Sequence, residues 1–463
     1  MTSMPILAKK SSQPLNTPQL LRSGWYLTWG VSLLLLIASI YGVSSQRQAL
    51  KTVGKDAAPS ILTAQQLQDS FADMDASLAN ELLLKPGNNQ QSLAKFEINR
   101  KKIADRLVAG AKNITYPEEE KIIQSLQWNN GAYLLKLQEA RDAHKRGDVA
   151  GALSIYQSAA TLMDRDIIPQ AIQLSLVNSQ ELEKTYAQQQ FANGGIGLLI
   201  AIVGAGQIAI LLTIQLFLYL RMRRILNLPL LGATAIAIAF TVYTLSSFLG
   251  ATANLRIAKE DAFDSIYSLR QMRALSYKAN GDESRYLVDR ANAAQHEQSF
   301  NTKIKTILTI PSSSSNKTIL AILQINNNTG RRLVELDGVT GLFANSLNNI
   351  TFAGEKELAF ETLKAFNEYL AIDKKIRQLN RSGKVAEAIA LCVGTKPGES
   401  NWAFDRYKKV QAELRELNQK EFDKNIKAGN DRLENFEIIA AIALGSVAIL
   451  TLAGLRPRLM EYL

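Results

Sequence analysis

The sequence predicts an all-α membrane protein with four transmembrane helices and two extracytoplasmic helical-bundle domains. Four stretches of the 463-residue chain contain no charged side chain, namely 23–46, 185–220, 225–255 and 438–455. Each holds an apolar run of about 18 residues or more, which as a helix crosses a hydrocarbon core of ~30 Å. The polar segments between them read as helix, with turn signals where helices should end.

Charge placement predicts the orientation. The net charge of the chain is +11, and much of this excess lies in three short segments. The basic residues there are Lys9, Lys10 and Arg22 in segment 1–24, Arg221, Arg223 and Arg224 in loop 221–229, and Arg456 and Arg458 in tail 456–463, where Glu461 is the one acid. Because positive charge favours the cytoplasmic side, we expect all three segments and both termini to lie in the cytoplasm. This is the topology of a multi-pass protein of a bacterial plasma (inner) membrane.

The spans are predicted at 25–44, 194–220, 230–251 and 437–455, and the extracytoplasmic segments at 45–193 and 252–436. A cleavable signal peptide is the alternative for the first span, since small residues occur at Val43-Ser44-Ser45. The length of the run favours an uncleaved anchor. Aromatic residues at both of its ends, Trp25, Tyr26, Trp29 and Tyr41, favour the same interpretation.

The first extracytoplasmic segment predicts four helices. Pro59 opens a helix that reaches Leu84, residues 85–89 break it, and a second helix ends near Lys112. Pro117, followed by three glutamates, begins the third helix, since proline suits the first turn and acids suit the positive end of the helix dipole. The fourth runs from Val149 into the second span, with a bend at Pro169.

The second segment has the same outline, with polar loops at 312–316 and 326–330. Its final helix has a bundle-facing seam at Ala403, Tyr407, Val410, Leu414 and Leu417. Residues 147–152 (Gly-Asp-Val-Ala-Gly-Ala) resemble 383–388 (Gly-Lys-Val-Ala-Glu-Ala), and 69–71 (Asp-Ser-Phe) resemble 261–263 (Asp-Ala-Phe). These matches indicate an internal duplication.

No catalytic constellation is present in the sequence, so we expect a protein that is not an enzyme and needs no cofactor. The only histidines, His144 and His296, lie in different segments, and the single cysteine, Cys392, excludes a disulfide framework. Metal ligands are therefore not predicted. A transporter or channel would need ionisable groups inside the spans, where Gln207 and Gln215 are better explained as interhelical hydrogen-bond partners.

Two polar clusters are candidate contact sites. Asp282, Glu283, Arg285 and Tyr286 follow Gly281, which is expected to end the helix from the third span; the carboxylates then either cap the next helix or bind a partner protein. The loop arginines Arg221, Arg223 and Arg224 either set topology and bind anionic lipid or dock a cytosolic acidic partner.

Four stretches resemble one known family. They are 152–156 (Ala-Leu-Ser-Ile-Tyr), 162–169 (Leu-Met-Asp-Arg-Asp-Ile-Ile-Pro), 258–269 and 273–289. They resemble the GlnX family, four-span proteins of actinobacteria encoded beside a glutamine-binding-type lipoprotein and the soluble serine/threonine protein kinase G. The chain is richer in Gln, Asn, Lys and Ile than actinobacterial relatives, which indicates a cyanobacterial or other bacterial relative.

The resemblance implies a relay. An extracytoplasmic amino-acid-binding lipoprotein would sense aspartate or glutamate, the four-span protein would carry its state inward, and a cytosolic serine/threonine kinase would respond. Two alternatives remain open: a structural or assembly protein of an envelope complex, and an orphan sensor whose bundle binds a small ligand directly. None of these interpretations involves nucleic acid or a membrane-spanning pore.

Overall fold

The computed structural model describes residues 16–86, 90–222, 227–310 and 339–461, and these form two compact units. The membrane unit comprises the described residues of 16–49, 187–253 and 428–461. The polar unit comprises those of 50–186 and 254–427. Within the described ranges the regular structure is helical, apart from one antiparallel bridge between Thr309 and Thr340.

The described α-helices are α1 Thr17–Lys51, α2 Ala58–Leu82, α3 Gln90–Lys112, α4 Pro117–Lys145, α5 Val149–Leu162, α6 Ile168–Met222, α7 Leu228–Arg256, α8 Asp264–Val288, α9 Ala293–Ile307, α10 Leu342–Asn348, α11 Glu355–Arg381, α12 Val385–Val393, α13 Ser400–Asp431 and α14 Phe436–Met460. Three π-helical turns, Thr52–Ala57, Met163–Ile167 and Ile257–Phe263, join α1 to α2, α5 to α6 and α7 to α8. A 3₁₀ turn, Arg290–Asn292, precedes α9.

Four helical stretches are long and apolar enough to cross a membrane. They are Thr17–Leu82, Val149–Met222, Leu228–Val288 and Ser400–Met460. Each contains one of the spans predicted from the sequence and extends beyond it. These stretches indicate a multi-pass membrane protein.

The helices of the membrane unit pack closely through small residues. A Cβ atom on Gly204 would lie 2.5 Å from Cγ2 of Thr241, so only glycine allows this approach of α6 to α7. Gln207 Nε2 donates to Ser32 Oγ at 2.7 Å, and Gln215 Nε2 donates to Thr234 Oγ1 at the same distance. The predicted role of both glutamines as interhelical hydrogen-bond partners is therefore confirmed.

The polar unit contains both polar segments, each with its own hydrophobic core. Phe71, Leu126 and Tyr133 lie in the core of the first segment. The core of the second includes Phe366 and the predicted seam residue Tyr407. The sequence predicts two separate bundles in these segments, whereas in the structure they form parts of one compact unit.

The predicted helix boundaries of the first segment agree with the structure to within a few residues. Pro117 begins α4, and the Glu119 carboxylate accepts the backbone N–H groups of Thr115 and Tyr116. The expected irregularity near Pro169 takes the form of the π-helical turn Met163–Ile167. The loops predicted at 312–316 and 326–330 lie outside the described residues.

One set of contacts occurs in both halves of the polar unit. The Asn113 side chain donates to Asp56 O and Ser60 Oγ, and the Asn349 side chain donates to Asp261 O and Ser265 Oγ. In these contacts Asp56 takes the place of Asp261, whereas the sequence match of 69–71 with 261–263 pairs Asp69 with Asp261.

A second set of hydrogen bonds also occurs in both halves. Glu119 accepts hydrogen bonds from two backbone N–H groups and from Asn178 Nδ2, at 2.6 Å for the last. Glu355 accepts from two backbone N–H groups and from Asn418 Nδ2, at 2.8 Å. In each half a buried carboxylate thus ties the start of one long helix to another.

The prediction that Gly281 ends a helix is wrong, because α8 continues through it to Val288. Gly281 lies where α8 packs on α2, and a Cβ atom there would lie 3.7 Å from Asp75 Oδ2. Asp282 and Glu283 are accordingly interior residues of α8 and do not cap a new helix. The buried packing of α8 outweighs the low helix propensity of one glycine.

Candidate functional site

A cleft of about 590 Å³ lies in the polar unit where helices of the two segments meet. The first segment contributes α5 and the following π-helical turn, including Tyr156, Asp164 and Arg165. The second contributes the end of α8 and the start of α9, including Arg285 and His296. The volume is that of an ordinary small-molecule site.

Arg285 is the central residue of the cleft wall and connects the two segments. Its Nη2 lies 2.5 Å from Asp75 Oδ2, its Nε donates to Tyr156 OH at 3.0 Å, and its Nη1 lies 3.3 Å from Asp164 Oδ2. Burial alone would lower the pKa of Arg285, but the surrounding acids, Asp75 first among them, hold it above its ordinary value. The guanidinium is therefore a permanently charged clamp between α8 and the first segment.

Asp75 is the buried partner of this clamp. Tyr133 OH donates to its Oδ1 at 3.1 Å and Tyr156 OH donates to its Oδ2 at 3.2 Å. Burial raises the pKa of Asp75 above its usual value, with Arg285 acting in the opposite direction. Burial also raises the pKa of both tyrosines, so they remain hydroxyl donors.

One turn beyond Arg285, at the end of α8, Asp289 receives three hydrogen bonds on one oxygen. Gln157 Nε2, Asn292 Nδ2 and His296 Nε2 lie 3.0, 2.9 and 3.1 Å from its Oδ2. Burial alone would raise the pKa of Asp289, and these three donors, Asn292 first, lower it below its ordinary value. The Gln157 contact is a second link between the segments.

The rim of the cleft offers charges of both signs to a ligand or a partner. The Asp164 side chain is 52% exposed although it pairs with Arg285, and the Arg165 side chain is 79% exposed. A molecule with both a carboxylate and an ammonium group, or a protein surface with mixed charges, would be complementary to this rim.

The four residues predicted as a partner contact are buried and point in different directions. Arg285 faces the cleft, and Asp282 pairs with Lys303 of α9. Tyr286 lies under the Arg377 guanidinium, 4.7 Å from the ring centroid. In this arrangement all four residues are at most 9% exposed.

Glu283 lies in the interior of the second half. Its Oε1 accepts a hydrogen bond from Ser400 Oγ at 2.6 Å and lies 3.6 Å from the Cys392 sulfur. Burial, followed by the nearby Asp373 carboxylate, raises the pKa of Glu283 to about 8. Burial likewise raises the pKa of the Cys392 thiol well above its ordinary value, so this cysteine is unreactive in the folded protein.

The remaining candidates are separate from the cleft or from each other. Arg221 is exposed near the end of α6, while Arg223 and Arg224 lie outside the described residues. His144 Nε2 contacts the Leu84 carbonyl at 2.8 Å, so the two histidines serve different sites. Among the described residues, no group of three or more His, Cys, Asp or Glu side chains is placed to hold a metal ion.

Asp75, Asp289 and the role of His296 are not predicted from the sequence. A signal for Asp75 exists, because a carboxylate between the buried Phe71 and Leu78 of one helix needs a partner. Tyr156 and Asp164 lie inside the stretches that carry the family resemblance, but no spacing in the sequence places them opposite Arg285.

Residues 49–187 match the family model for an actinobacterial sensor domain. The matched region supplies the α5 side of the cleft together with Asp75, and it ends before the second polar segment. No curated protein and no solved structure matches the chain. With the four apolar helices, the family match supports a sensing or signalling role for a membrane protein.

Proposed function

We propose that the protein is a non-enzymatic transmembrane relay that couples an extracytoplasmic amino-acid-binding lipoprotein to a cytosolic serine/threonine kinase. One observation carries the proposal: the region that matches a sensor domain is built on helical stretches that contain two of the candidate spans, Thr17–Leu82 and Val149–Met222. A change in the packing of that region therefore acts directly on membrane helices. The chain is a multi-pass protein of the plasma membrane, with its termini and loop 221–229 in the cytoplasm.

The physical basis of the relay is a shift between two helix arrangements. A partner that binds one arrangement more tightly raises its population in proportion to the difference in affinity. Packed helices can slide or rotate against each other as rigid rods. The π-helical turns Thr52–Ala57 and Ile257–Phe263 are positions where the register of a helix is already altered, as is common at functional sites.

The proposal includes a duplication that gave rise to the two halves of the polar unit. Two similarities between the halves support the duplication. Asn113 and Asn349 each donate to a serine hydroxyl of their own half, and Glu119 and Glu355 each accept a backbone N–H group from the residue four positions before. A duplicated unit has two comparable faces that can move against each other. The Arg285–Asp75 ion pair lies between these faces.

Photo-cross-linking in the protein's own cells tests the relay. A photoreactive amino acid replaces Arg165 at the cleft rim, and a matched control replaces Arg100, another exposed arginine of the same segment. We expect a lipoprotein to be cross-linked at position 165 only, in an amount that changes when glutamate or aspartate is added, together with co-purification of a kinase. Recovery of envelope-assembly proteins alone, with no dependence on the amino acids, would support the structural alternative.

A second candidate function, direct sensing of a small ligand, is favoured by the volume and mixed charges of the cleft. Purified full-length protein, free of any partner, should then gain thermal stability with a zwitterionic amino acid. Arg165→Gln should reduce that gain, whereas Arg100→Gln should not. An unchanged melting temperature with each amino acid would exclude direct sensing and leave the lipoprotein as the receptor.

A further inference from the structure

Four arginines from three helices of the polar unit surround one buried carboxylate. The carboxylate is Asp69 of α2, and the guanidinium groups that act on it belong to Arg273, Arg270, Arg415 and Arg106. Arg273 Nε lies 3.6 Å from Asp69 Oδ2. We call this group the arginine cluster; it shares no residue with the cleft.

Two members of the arginine cluster are held by the protein itself. Arg273 Nη1 donates to the Lys408 carbonyl at 2.9 Å and to Gln411 Oε1 at 3.1 Å. Arg106 donates to the Gln66 carbonyl at 2.8 Å. Both guanidinium groups are therefore fixed in position.

The other two members lack such partners. Arg270 is 7% exposed, and its Nε is buried with no hydrogen-bond partner in the part of the chain that the structure describes. The same holds for Nη1 of Arg415, and Asp69 Oδ1 is buried without a partner as well. A guanidinium group stays charged in proteins, so it cannot relieve its burial by losing a proton as lysine does.

The cluster is short of negative charge. Burial, followed by repulsion from Arg415, lowers the pKa of Arg270 to about 9. Lys102 adds a further cation, and repulsion from Arg106 contributes to lowering its pKa after burial. Asp73 and Asp105 act on Lys102 and Arg106 respectively, and Asp69 is the acid that acts most strongly on Arg270.

We propose that the arginine cluster is a binding site for a small multivalent oxyanion, either inorganic phosphate or a dicarboxylate. Both present pairs of oxygen atoms that match the parallel N–H donors of a guanidinium group. Arg106 and Arg415 are only partly buried, and in this proposal the anion enters past them. The bound anion would supply the missing negative charge and lock α2, α3, α8 and α13 together.

Thermal denaturation of the full-length protein in detergent tests the site. The protein is purified in a buffer without phosphate or carboxylates, and phosphate, succinate or chloride is then added at equal ionic strength. We expect the melting temperature to rise by about 5 °C at saturating phosphate or succinate relative to chloride. A rise with only one of them identifies the class of anion.

Arg270→Gln should abolish the anion-dependent rise and leave the anion-free protein at least as stable as the parent, because a repelling charge is removed. Arg381→Gln, at an exposed arginine, should keep the full rise. Arg415→Gln serves as the second variant should Arg270→Gln fail to fold. Equal melting temperatures in all three salts, or a rise that survives loss of Arg270 or Arg415, would overturn the site without affecting the proposed relay.

Discussion

Replacing Arg285 with glutamine should destabilise the polar unit strongly. The substitution removes a guanidinium that lies 2.5 Å from Asp75 Oδ2 and 3.0 Å from Tyr156 OH. Asp75 would keep hydrogen bonds from Tyr133 and Tyr156, but its charge would be buried without a cation. Its side chain is only 6% exposed, so water cannot compensate for the loss.

Breaking a buried ion pair by removing one partner costs about 3 to 5 kcal/mol. For a unit of this size the thermal transition should fall by roughly 5 to 8 °C. The loss should grow as the pH rises. In the variant the pKa of Asp75 in the folded state is raised further, so stability is greatest when Asp75 is protonated and decreases as the pH rises through that pKa.

The assay is thermal denaturation of the full-length protein in detergent, with Arg165→Gln as the matched control at an exposed arginine of the same cleft. Asp75→Asn combined with Arg285→Gln should recover most of the loss, because the amide carries no charge. Its oxygen still accepts from one tyrosine, and its NH2 group can donate to the hydroxyl oxygen of the other. The reasoning would be refuted if Arg285→Gln lowered the melting temperature no more than Arg165→Gln does.

Three further predictions concern the second half and the repeated contacts. Burial raises the pKa of Glu283 in the folded protein to about 8, above its unfolded value. Its contribution to stability is therefore full at low pH and is lost as the pH rises towards 8. Glu283→Gln should flatten the decline in melting temperature above pH 5. Cys392 should react with maleimide only in denaturant, and rapid labelling of the native protein would contradict its burial. Asn178→Ala and Asn418→Ala should each cost about 1 to 2 kcal/mol in chemical denaturation, since each leaves a buried carboxylate short of a donor. Unequal losses would argue against equivalent roles.

Much of the helical architecture could be predicted from local signals. Pro117 with the glutamates after it defines the start of α4, and the uncharged apolar runs identify all four candidate spans. The seam of α13 follows from its spacing, with Ala403, Tyr407 and Leu414 in the core. These features depend on residues close together in the sequence.

The candidate site could not be predicted in the same way, because it depends on contacts between distant segments. Arg285 and Asp75 are 210 positions apart, and no periodicity indicates that they meet. The prediction at Gly281 is wrong for the same reason: as a local signal glycine ends a helix, but here it lies where α8 packs on α2. The expected surface turn is therefore a buried helix interior.

The most direct test of the relay measures, in the protein's own cells, whether an added amino acid changes the accessibility of the C-terminal tail. Met460, an exposed residue at the end of α14, is replaced by cysteine as the reporter, with Cys392 as a buried background thiol. The account predicts that added glutamate or aspartate changes the rate of labelling at position 460 by a membrane-permeant maleimide, and that Arg285→Gln removes the change. Identical labelling rates with and without the amino acids, in cells where the lipoprotein is cross-linked at position 165, would contradict it.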